Sequence, residues 1–395
     1  MDDAQLEPVS RRVAPGERVR VALVGAGLVG QAGHAITLAE ERERFDFAAV
    51  VDPSETVRTA VAARHGVPRT AARLDDLPAE DLDAVVVAVP DPAHRDVCVG
   101  ALRAGLHVFC EKPIATTLQE ADEMIAARGD RVLQCGYMKL YDPAVERLVE
   151  LLSQRPSDLV YLSVEVNDPD QAPFVGHLGL VAGHDVPAEL IEQTRRRATD
   201  AVEQAIGRAA APSEARAFEA YLGALVHDVS LAHHLLAALG IAAPLPLAGA
   251  AYFDEGRGVS LTWTLPGGGH AHLAHLNLPG VADYRERVTV YCRDRILELT
   301  FPSPYLRHVP TRLVERRTAP AASDASGSTA IGLTTTDHRV SYEEAFRTEL
   351  RAFHASITVA APVRAGAEAA REDLRALLSA LRLATGTTRA DQVRN

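Results

Sequence analysis

The sequence predicts an α/β protein of two domains, in which a doubly wound parallel sheet is followed by an α+β domain built on a mostly antiparallel sheet. Through residues 19–150, short β-like apolar runs alternate with helical stretches, which is the pattern of parallel strands joined by crossover helices. Beyond residue 158, strand-like and helix-like segments occur in separate blocks instead. At 395 residues the chain is long enough for two hydrophobic cores.

The N-terminal domain is expected to span residues 19–140, after a polar, flexible tail at 1–18. Helical periodicity fills the gaps between its strands, as at 57–65 and 117–127. Asp142 and Pro143 are expected to open a helix that runs to about Leu152, with Asp142 as its N-cap. The predicted strands of this domain are 19–24, 47–51, 84–89, 107–110 and 132–135.

The second domain is expected to span residues 141–395. A strand at 159–166 precedes a helical block from Pro187 to about Gly240, which Gly207 and Pro212 interrupt. The segment 319–336, rich in Ala, Ser, Gly and Thr, is expected to be a flexible loop. Helices are expected at 342–357 and 367–383. The further predicted strands are 259–265, 270–278, 287–292 and 296–301.

Composition excludes several classes of protein. A net charge of −12 argues against a nucleic-acid or anionic-membrane partner, and no apolar run reaches the roughly 20 residues that cross a bilayer. Four cysteines without close pairing indicate free thiols and a cytoplasmic location. His270, His272 and His275 have no carboxylate or cysteine at ligand spacing, so no metal site is predicted.

A glycine-rich loop follows the first strand directly. The loop has the sequence GAGLVG at residues 25–30. It has the context that a dinucleotide-binding loop requires, with an apolar strand before it and a helix after it. The second strand ends at Asp52, where a carboxylate would accept hydrogen bonds from the ribose hydroxyls and repel a 2′-phosphate. This favours NAD over NADP, although Asp52 with Pro53 is also a plausible capped turn, and Ser54 and Arg58 could accommodate a phosphate.

Lysine is scarce in this chain, since 39 of its 41 basic residues are arginine. One of the two lysines, Lys112, lies between an apolar strand and Pro113. A compact ammonium can be desolvated and can exchange a proton, which a guanidinium cannot do. Lys112 is therefore predicted to have a function, against the alternative that a surface lysine was retained by chance.

Several motifs occur in order along the chain: the loop 25–30, Asp52, VPDPAH at 89–94, AGLHV at 104–108, EKP at 111–113 and GYMKLYDP at 136–143. Together they resemble the glucose–fructose oxidoreductase / inositol dehydrogenase / rhizopine catabolism (Gfo/Idh/MocA) family of NAD(P)-dependent enzymes. The resemblance implies a Rossmann domain followed by an α+β domain whose large open sheet mediates homodimers or homotetramers. It also implies hydride transfer between the nicotinamide and a secondary alcohol or ketone of a sugar, glycoside or cyclitol.

The resemblance assigns roles to residues along the chain. Lys112 is expected to lie beside the nicotinamide, with its bond to Pro113 in cis. Lys139, which replaces a frequent arginine, and Tyr141 are expected near the cofactor or substrate, although a structural role for Lys139 is equally open. His94 is expected on the nicotinamide side of the sheet, with helix capping as the alternative. The expected cofactor contacts are Gly25, Gly27, Leu28, Val29, Gly30, Asp52, Pro90, His94, Glu111 and Lys112.

The second domain departs from the family pattern. The usual Asp-x-Gly-x-His motif is matched only by residues 223–227, where Gly223 stands at the aspartate position. His227 is the expected acid/base, and Asp228 is the expected substitute carboxylate, either orienting His227 or binding a substrate hydroxyl. His177 and His184 are further substrate candidates, and Asp185 is an alternative for the acid/base. An amphipathic insertion at about 187–220 is expected to shape a pocket or an oligomer contact.

Two other functions remain open at this stage. One is redox-neutral glycoside cleavage or epimerisation, in which bound NAD is reduced and reoxidised within one turnover. The other is a non-catalytic dinucleotide sensor, which the glycine at position 223 suggests but the retained Lys112 does not.

Overall fold

The computed structural model describes residues 13–154, 159–323 and 329–387, with no side chains described at 320–331. The chain forms two compact units. The first comprises the residues up to Met138 together with Val175–Val202 and Phe346–Leu374. The second comprises Lys139–Phe174, Glu203–Ala345 and the residues from Arg375 onward.

The first unit contains a six-stranded parallel sheet in the order β3-β2-β1-β4-β5-β6. This is the order of a doubly wound dinucleotide-binding fold, so the predicted α/β class is confirmed. All five predicted strands are present within two residues of their expected ends, and the three-residue edge strand β3 was missed. The strands are β1 Val19–Val24, β2 Phe45–Val51, β3 Arg69–Ala71, β4 Ala84–Val87, β5 His107–Glu111 and β6 Leu133–Gly136.

Local capping explains where several helices begin. Ser54 caps α2 by accepting a hydrogen bond from the Val57 N–H, and Thr117 forms a reciprocal capping box with Glu120 at α4. Asp142 accepts from the Ala144 N–H, which confirms it as the N-cap of α5. The helices from α1 to α5 are Ile36–Glu40, Glu55–His65, His94–Arg103, Leu118–Ala127 and Pro143–Ser153. Those from α6 to α11 are Ala172–Val175, Ala188–Ile206, Pro212–Glu219, Val226–Ala237, Ala345–Thr358 and Ala367–Ala384.

The second unit contains an eight-stranded sheet in the order β14-β13-β12-β11-β7-β10-β9-β8. Among the described strand pairs of this sheet, only that of β7 with β10 is parallel, which confirms the mostly antiparallel α+β domain. The strands are β7 Leu159–Asp168, β8 Leu247–Phe253, β9 Gly258–Thr264, β10 His270–Asn277, β11 Arg285–Cys292, β12 Arg295–Phe301, β13 Arg312–Ser323 and β14 Thr329–His338.

The expected loop at 319–336 is wrong. Most of it belongs to the hairpin strands β13 and β14, which pair from Leu313 with His338 to Ser323 with Thr329; residues 324–328 lie outside the described part. The described side chains of β14 are mostly exposed, so the strand lacks the alternation of apolar and polar residues that marks a half-buried strand. The strand forms through its pairing with β13, which the composition of the segment does not predict.

Within the expected flexible tail at 1–18, residues 14–18 are exposed and precede the first strand. Val13 is buried in the hydrophobic core of the first unit, among β1 residues and Leu350 and Phe353 of α10. Residues 1–12 lie outside the described part. Among the described residues, no helix is long and apolar enough to span a membrane.

Candidate active site

The glycine loop joins β1 to a π-helical segment, Gly30–Ala35, that leads into α1. Gly25 has φ +92°, and a Cβ there would lie 2.4 Å from the Ala88 carbonyl oxygen. A Cβ on Gly30 would lie 2.4 Å from the Gly25 carbonyl oxygen. Both positions therefore require glycine, because the chain folds back on itself. A Cβ on Gly27 would meet nothing within 4 Å, which leaves its backbone open to a ligand.

Asp52 lies directly after β2 and is tied to this loop. Its carboxylate accepts one hydrogen bond from the Ala26 N–H, at 2.9 Å, and one from the Ser54 N–H, also at 2.9 Å. These bonds orient the half-buried carboxylate at the carboxyl end of the sheet, where ligands bind in open α/β folds. Asp52 is thus more than a turn cap, since it joins two segments of the dinucleotide loop region.

Lys112 lies at the same edge, immediately after β5. Its peptide bond to Pro113 is cis, as the family resemblance implied. The Lys112 N–H donates to Glu111 Oε2 at 3.1 Å, while His34 Nε2 lies 2.7 Å from Glu111 Oε1. Burial opposes ionisation of Glu111, but the contacts with His34 and Lys112 prevail and lower its pKa. Glu111 therefore acts as a buried, ionised brace for the backbone that carries Lys112.

His94 holds a second side of the Lys112 turn. The ring is fully buried, with Nδ1 2.8 Å from the Pro113 carbonyl oxygen and Nε2 2.9 Å from that of Val89. Burial disfavours the charged ring, yet Cys110, Asp91 and the Pro113 carbonyl together raise the pKa of His94. His94 ties the turn after β4, which contains Pro90, to the turn after β5. These contacts do not cap α3.

In the second unit, Lys139 lies between two buried carboxylates. Its Nζ is 3.0 Å from Asp228 Oδ1 and 2.6 Å from Glu286 Oε1. The Tyr284 hydroxyl donates to Glu286 Oε2 at 2.5 Å. The pKa of Asp228 is raised to about 7, and burial is the largest cause. The neighbouring Lys139 acts to lower this pKa, and Glu286 acts to raise it. We call Lys139, Asp228, Glu286 and Tyr284 the buried ion cluster.

Sequence reasoning missed Glu286 and His34. Glu286 alternates with Val288 and Val290 on the buried face of β11, so a charged residue at that position required a cation nearby. The need for a cation was readable from this alternation, but the chain has 41 lysines and arginines, so the sequence did not identify which one. His34 gave no such signal, since a histidine within a helical stretch has many possible environments.

His227 is half-buried and is the second residue of α9, directly after the π-helical segment Ala220–Leu225 that contains Gly223. A Cβ on Gly223 would meet nothing within 4 Å, so a Cβ fits at this position. Asp228 is 1% exposed and belongs to the buried ion cluster. Tyr141 is also buried.

His177 and His184 are exposed and belong to the first unit, within Val175–Val202. His270 and His272 point away from the buried face of β10, where His275 lies, so the three do not converge. Among the described residues, no group of three or more His, Cys, Asp or Glu could hold a metal ion, and none of the four cysteines, all of them described, forms a disulfide.

Residues 19–137 match the family model described as oxidoreductase family, NAD-binding Rossmann fold (GFO_IDH_MocA). The chain is 33% identical over 137 residues to inositol 2-dehydrogenase 3 of Saccharopolyspora erythraea, across 34% of this chain and 40% of that protein. The chain thus matches about 40% of the length of this curated relative.

Solved structures resemble nearly the whole chain. One is UDP-N-acetylglucosamine 3-dehydrogenase from Acidithiobacillus ferrooxidans, with a TM-score of 0.64 and 20% identity over 96% of this chain and 97% of that one. Another is myo-inositol 2-dehydrogenase from Lactobacillus plantarum, with a TM-score of 0.66 and 17% identity over 94% and 98%. At these identities the likeness shows the fold of both domains.

Proposed function

From the membership of residues 19–137 in the Gfo/Idh/MocA oxidoreductase family, we propose that this protein is a nicotinamide-dependent oxidoreductase acting on CH–OH groups. The observation that carries the proposal is the convergence of three features on one sheet edge. The glycine loop follows β1, Asp52 follows β2 and Lys112 follows β5. Since these strands are parallel, their carboxyl ends lie together, at the edge where dinucleotides bind.

The cofactor proposed is NAD. The open backbone at Gly27 and the N–H groups after it would hold the pyrophosphate, with Leu28 and Val29 following in the same turn. Asp52 would accept hydrogen bonds from the ribose hydroxyls, and its charge would oppose a 2′-phosphate. The bound nicotinamide would supply the acceptor or donor of hydride, and the protein would supply orientation and proton handling.

Lys112 is proposed to stabilise the substrate oxygen and to take part in moving its proton. Oxidation of an alcohol requires loss of the hydroxyl proton as hydride leaves, so a positioned cation lowers the barrier. Glu111, braced by His34, and Pro113, held by His94, fix the backbone on both sides of Lys112. This support would fix the backbone from which the Lys112 ammonium projects.

His227 is proposed as the acid/base of the second domain. Asp228 is proposed as a positioning residue, because its described partner is Lys139 within the buried ion cluster. The cluster would hold the first turn of α9, and with it the backbone of His227. Burial of the Asp228 carboxylate favours this role over the binding of a substrate hydroxyl.

The substrate proposed is a cyclitol or a sugar with a secondary alcohol. The names of the relative from Saccharopolyspora erythraea and of the neighbour from Lactobacillus plantarum support a cyclitol, and that of the Acidithiobacillus ferrooxidans enzyme supports a nucleotide sugar. We also propose that the protein is cytoplasmic, because its cysteines form no disulfide. We propose further that it is a homodimer or homotetramer, with the open antiparallel sheet as the subunit contact.

The test combines binding with turnover. Purified protein would be titrated with NADH and NADPH by nicotinamide fluorescence, then assayed with NAD or NADP across inositols, sugars and glycosides. Reduced nicotinamide should accumulate with at least one substrate, and Lys112→Met should abolish that signal while keeping NADH binding. Substrate loss without NADH accumulation would favour the redox-neutral reaction. Protein that binds neither NADH nor NADPH would refute the proposal.

A further inference from the structure

The residues 178–185, which we call the strap, return to the dinucleotide-binding domain from a point far along the chain. Gln31 and Val181 form a reciprocal pair, with the Gln31 amide donating to the Val181 carbonyl at 2.9 Å and the Val181 N–H donating to Gln31 Oε1 at 2.9 Å. Arg64 donates to the Gly179 carbonyl oxygen at 2.6 Å. The strap therefore contacts the segments that follow both β1 and β2.

The end of the strap lies on the turn between β2 and α2. A Cβ on Gly183 would lie 2.2 Å from Ser54 Oγ, so only glycine permits this approach. Two residues later, Asp185 accepts a hydrogen bond from the Ser54 hydroxyl. Its second oxygen accepts from the Thr56 N–H at 3.0 Å and from the Thr56 hydroxyl at 3.1 Å. The hydrogen bond from Ser54 is the largest of several that lower the pKa of Asp185 to about 2, so the group is ionised at neutral pH.

This location matters because of Asp52, which lies two residues before Ser54. In a fold where the carboxylate after β2 holds the ribose hydroxyls, a 2′-phosphate must find its donors among the residues just beyond it. Ser54 and Thr56 offer two hydroxyls and one backbone N–H at the start of α2. Arg58 lies against the carbonyls of Asp52 and Pro53 and adds positive charge. The Asp185 carboxylate already accepts from all three donors.

We infer that Asp185 is a specificity-determining residue, which selects against 2′-phosphorylated dinucleotides by occupying with its own carboxylate the donors that a 2′-phosphate would need. The inference rests on the proposed function and deepens it. Asp52 would disfavour the phosphate by charge alone, whereas Asp185 adds direct competition for hydrogen bonds. NADP would have to displace the strap from Ser54 and Thr56, and NAD would not.

Two fragments test this without turnover: 5′-AMP, and adenosine 2′,5′-bisphosphate, which adds only the 2′-phosphate. Their dissociation constants would be measured by calorimetry for the wild type, Asp185→Ala and the control Glu189→Gln, which removes an equal charge from an exposed residue four positions along. Asp185→Ala should tighten binding of the bisphosphate by at least about tenfold and change that of AMP by less than about twofold. Glu189→Gln should change neither.

A double variant locates the phosphate. Glycine caps helices nearly as well as serine, so Ser54→Gly added to Asp185→Ala should cancel much of the gain without unfolding α2. A double variant that keeps the whole gain, or an Asp185→Ala protein with an unchanged bisphosphate-to-AMP ratio, would overturn the inference while leaving the proposed function intact. A wild type that binds neither AMP nor NADH would instead refute the proposed function and the inference with it.

Discussion

Replacing Lys139 with methionine tests how much the buried ion cluster stabilises the second unit. The ammonium lies within 3.0 Å of both Asp228 and Glu286, and none of the three side chains is more than 8% exposed. Methionine keeps most of the stem and leaves two buried carboxylates without the cation between them. Breaking a buried ion pair in this way typically costs about 3–5 kcal/mol. We expect that loss in the free energy of unfolding, a large share of the roughly 5–15 kcal/mol of a typical domain.

The loss should depend on pH in a definite direction. The pKa of Asp228 is raised from 3.8 to about 7 in the folded protein, so its protonated form stabilises the fold. That contribution is complete below the unfolded pKa and is lost as the pH rises through the folded value near 7. Without Lys139 the folded pKa should rise further, because an influence that lowers it has gone. Lys139→Met should therefore be least destabilised near about pH 5 and most destabilised above about pH 8.

Urea denaturation at these pH values measures the effect, with the fluorescence of Trp263, which is buried in the second unit, as the signal. Arg147→Met is the matched control, because the Arg147 pair with Glu150 is largely exposed and should be worth about 0.5 kcal/mol or less. Equal stabilities of the two variants, or a deficit of Lys139→Met that does not change with pH, would refute the reasoning.

Three further predictions concern the reaction. Lys112→Met should keep NADH binding and lower turnover by roughly two to four decades. Lys112→Arg should also lower turnover, because a guanidinium cannot relay a proton. Near-normal turnover of the arginine variant would show that charge alone suffices. Asp52→Ser should lower the ratio of the NADP dissociation constant to that of NAD without unfolding the protein, and an unchanged ratio would show that Asp52 does not select the cofactor. His227→Ala should lose the acidic limb of the pH–rate profile at unchanged NAD affinity. Gly223→Asp, at a position where a Cβ meets nothing within 4 Å, should not improve activity.

The first domain could be predicted closely because its signals are local. Apart from the short edge strand β3, which was missed, the parallel strands are mostly buried on both faces. Each of these strands is therefore a short apolar run, and all five predicted strands are present. Ser54 and Asp142 cap their helices through neighbours two or three residues away, so a short stretch of sequence is enough to place those helix starts.

The second domain was harder because its edges are exposed. Strand β14 is ordered by pairing with β13 and not by burying an apolar face, so its composition resembled that of a loop. No sequence feature indicated that the first unit also contains the later segments Val175–Val202 and Phe346–Leu374. A contact between distant segments depends on the path of the whole chain, which periodicity does not record.

The sequence by itself determined the dinucleotide loop, Asp52 and the lysine that follows β5, because each depends on residues adjacent in the chain and on strands whose ends must meet. Only the tertiary structure decided which partners the remaining charges have. Lys139 meets Asp228 from 89 residues away, and Ser54 meets Asp185 from 131 residues away. A buried or anchored charge requires an opposite partner or a donor, but the sequence does not say which one, since that choice is made by packing.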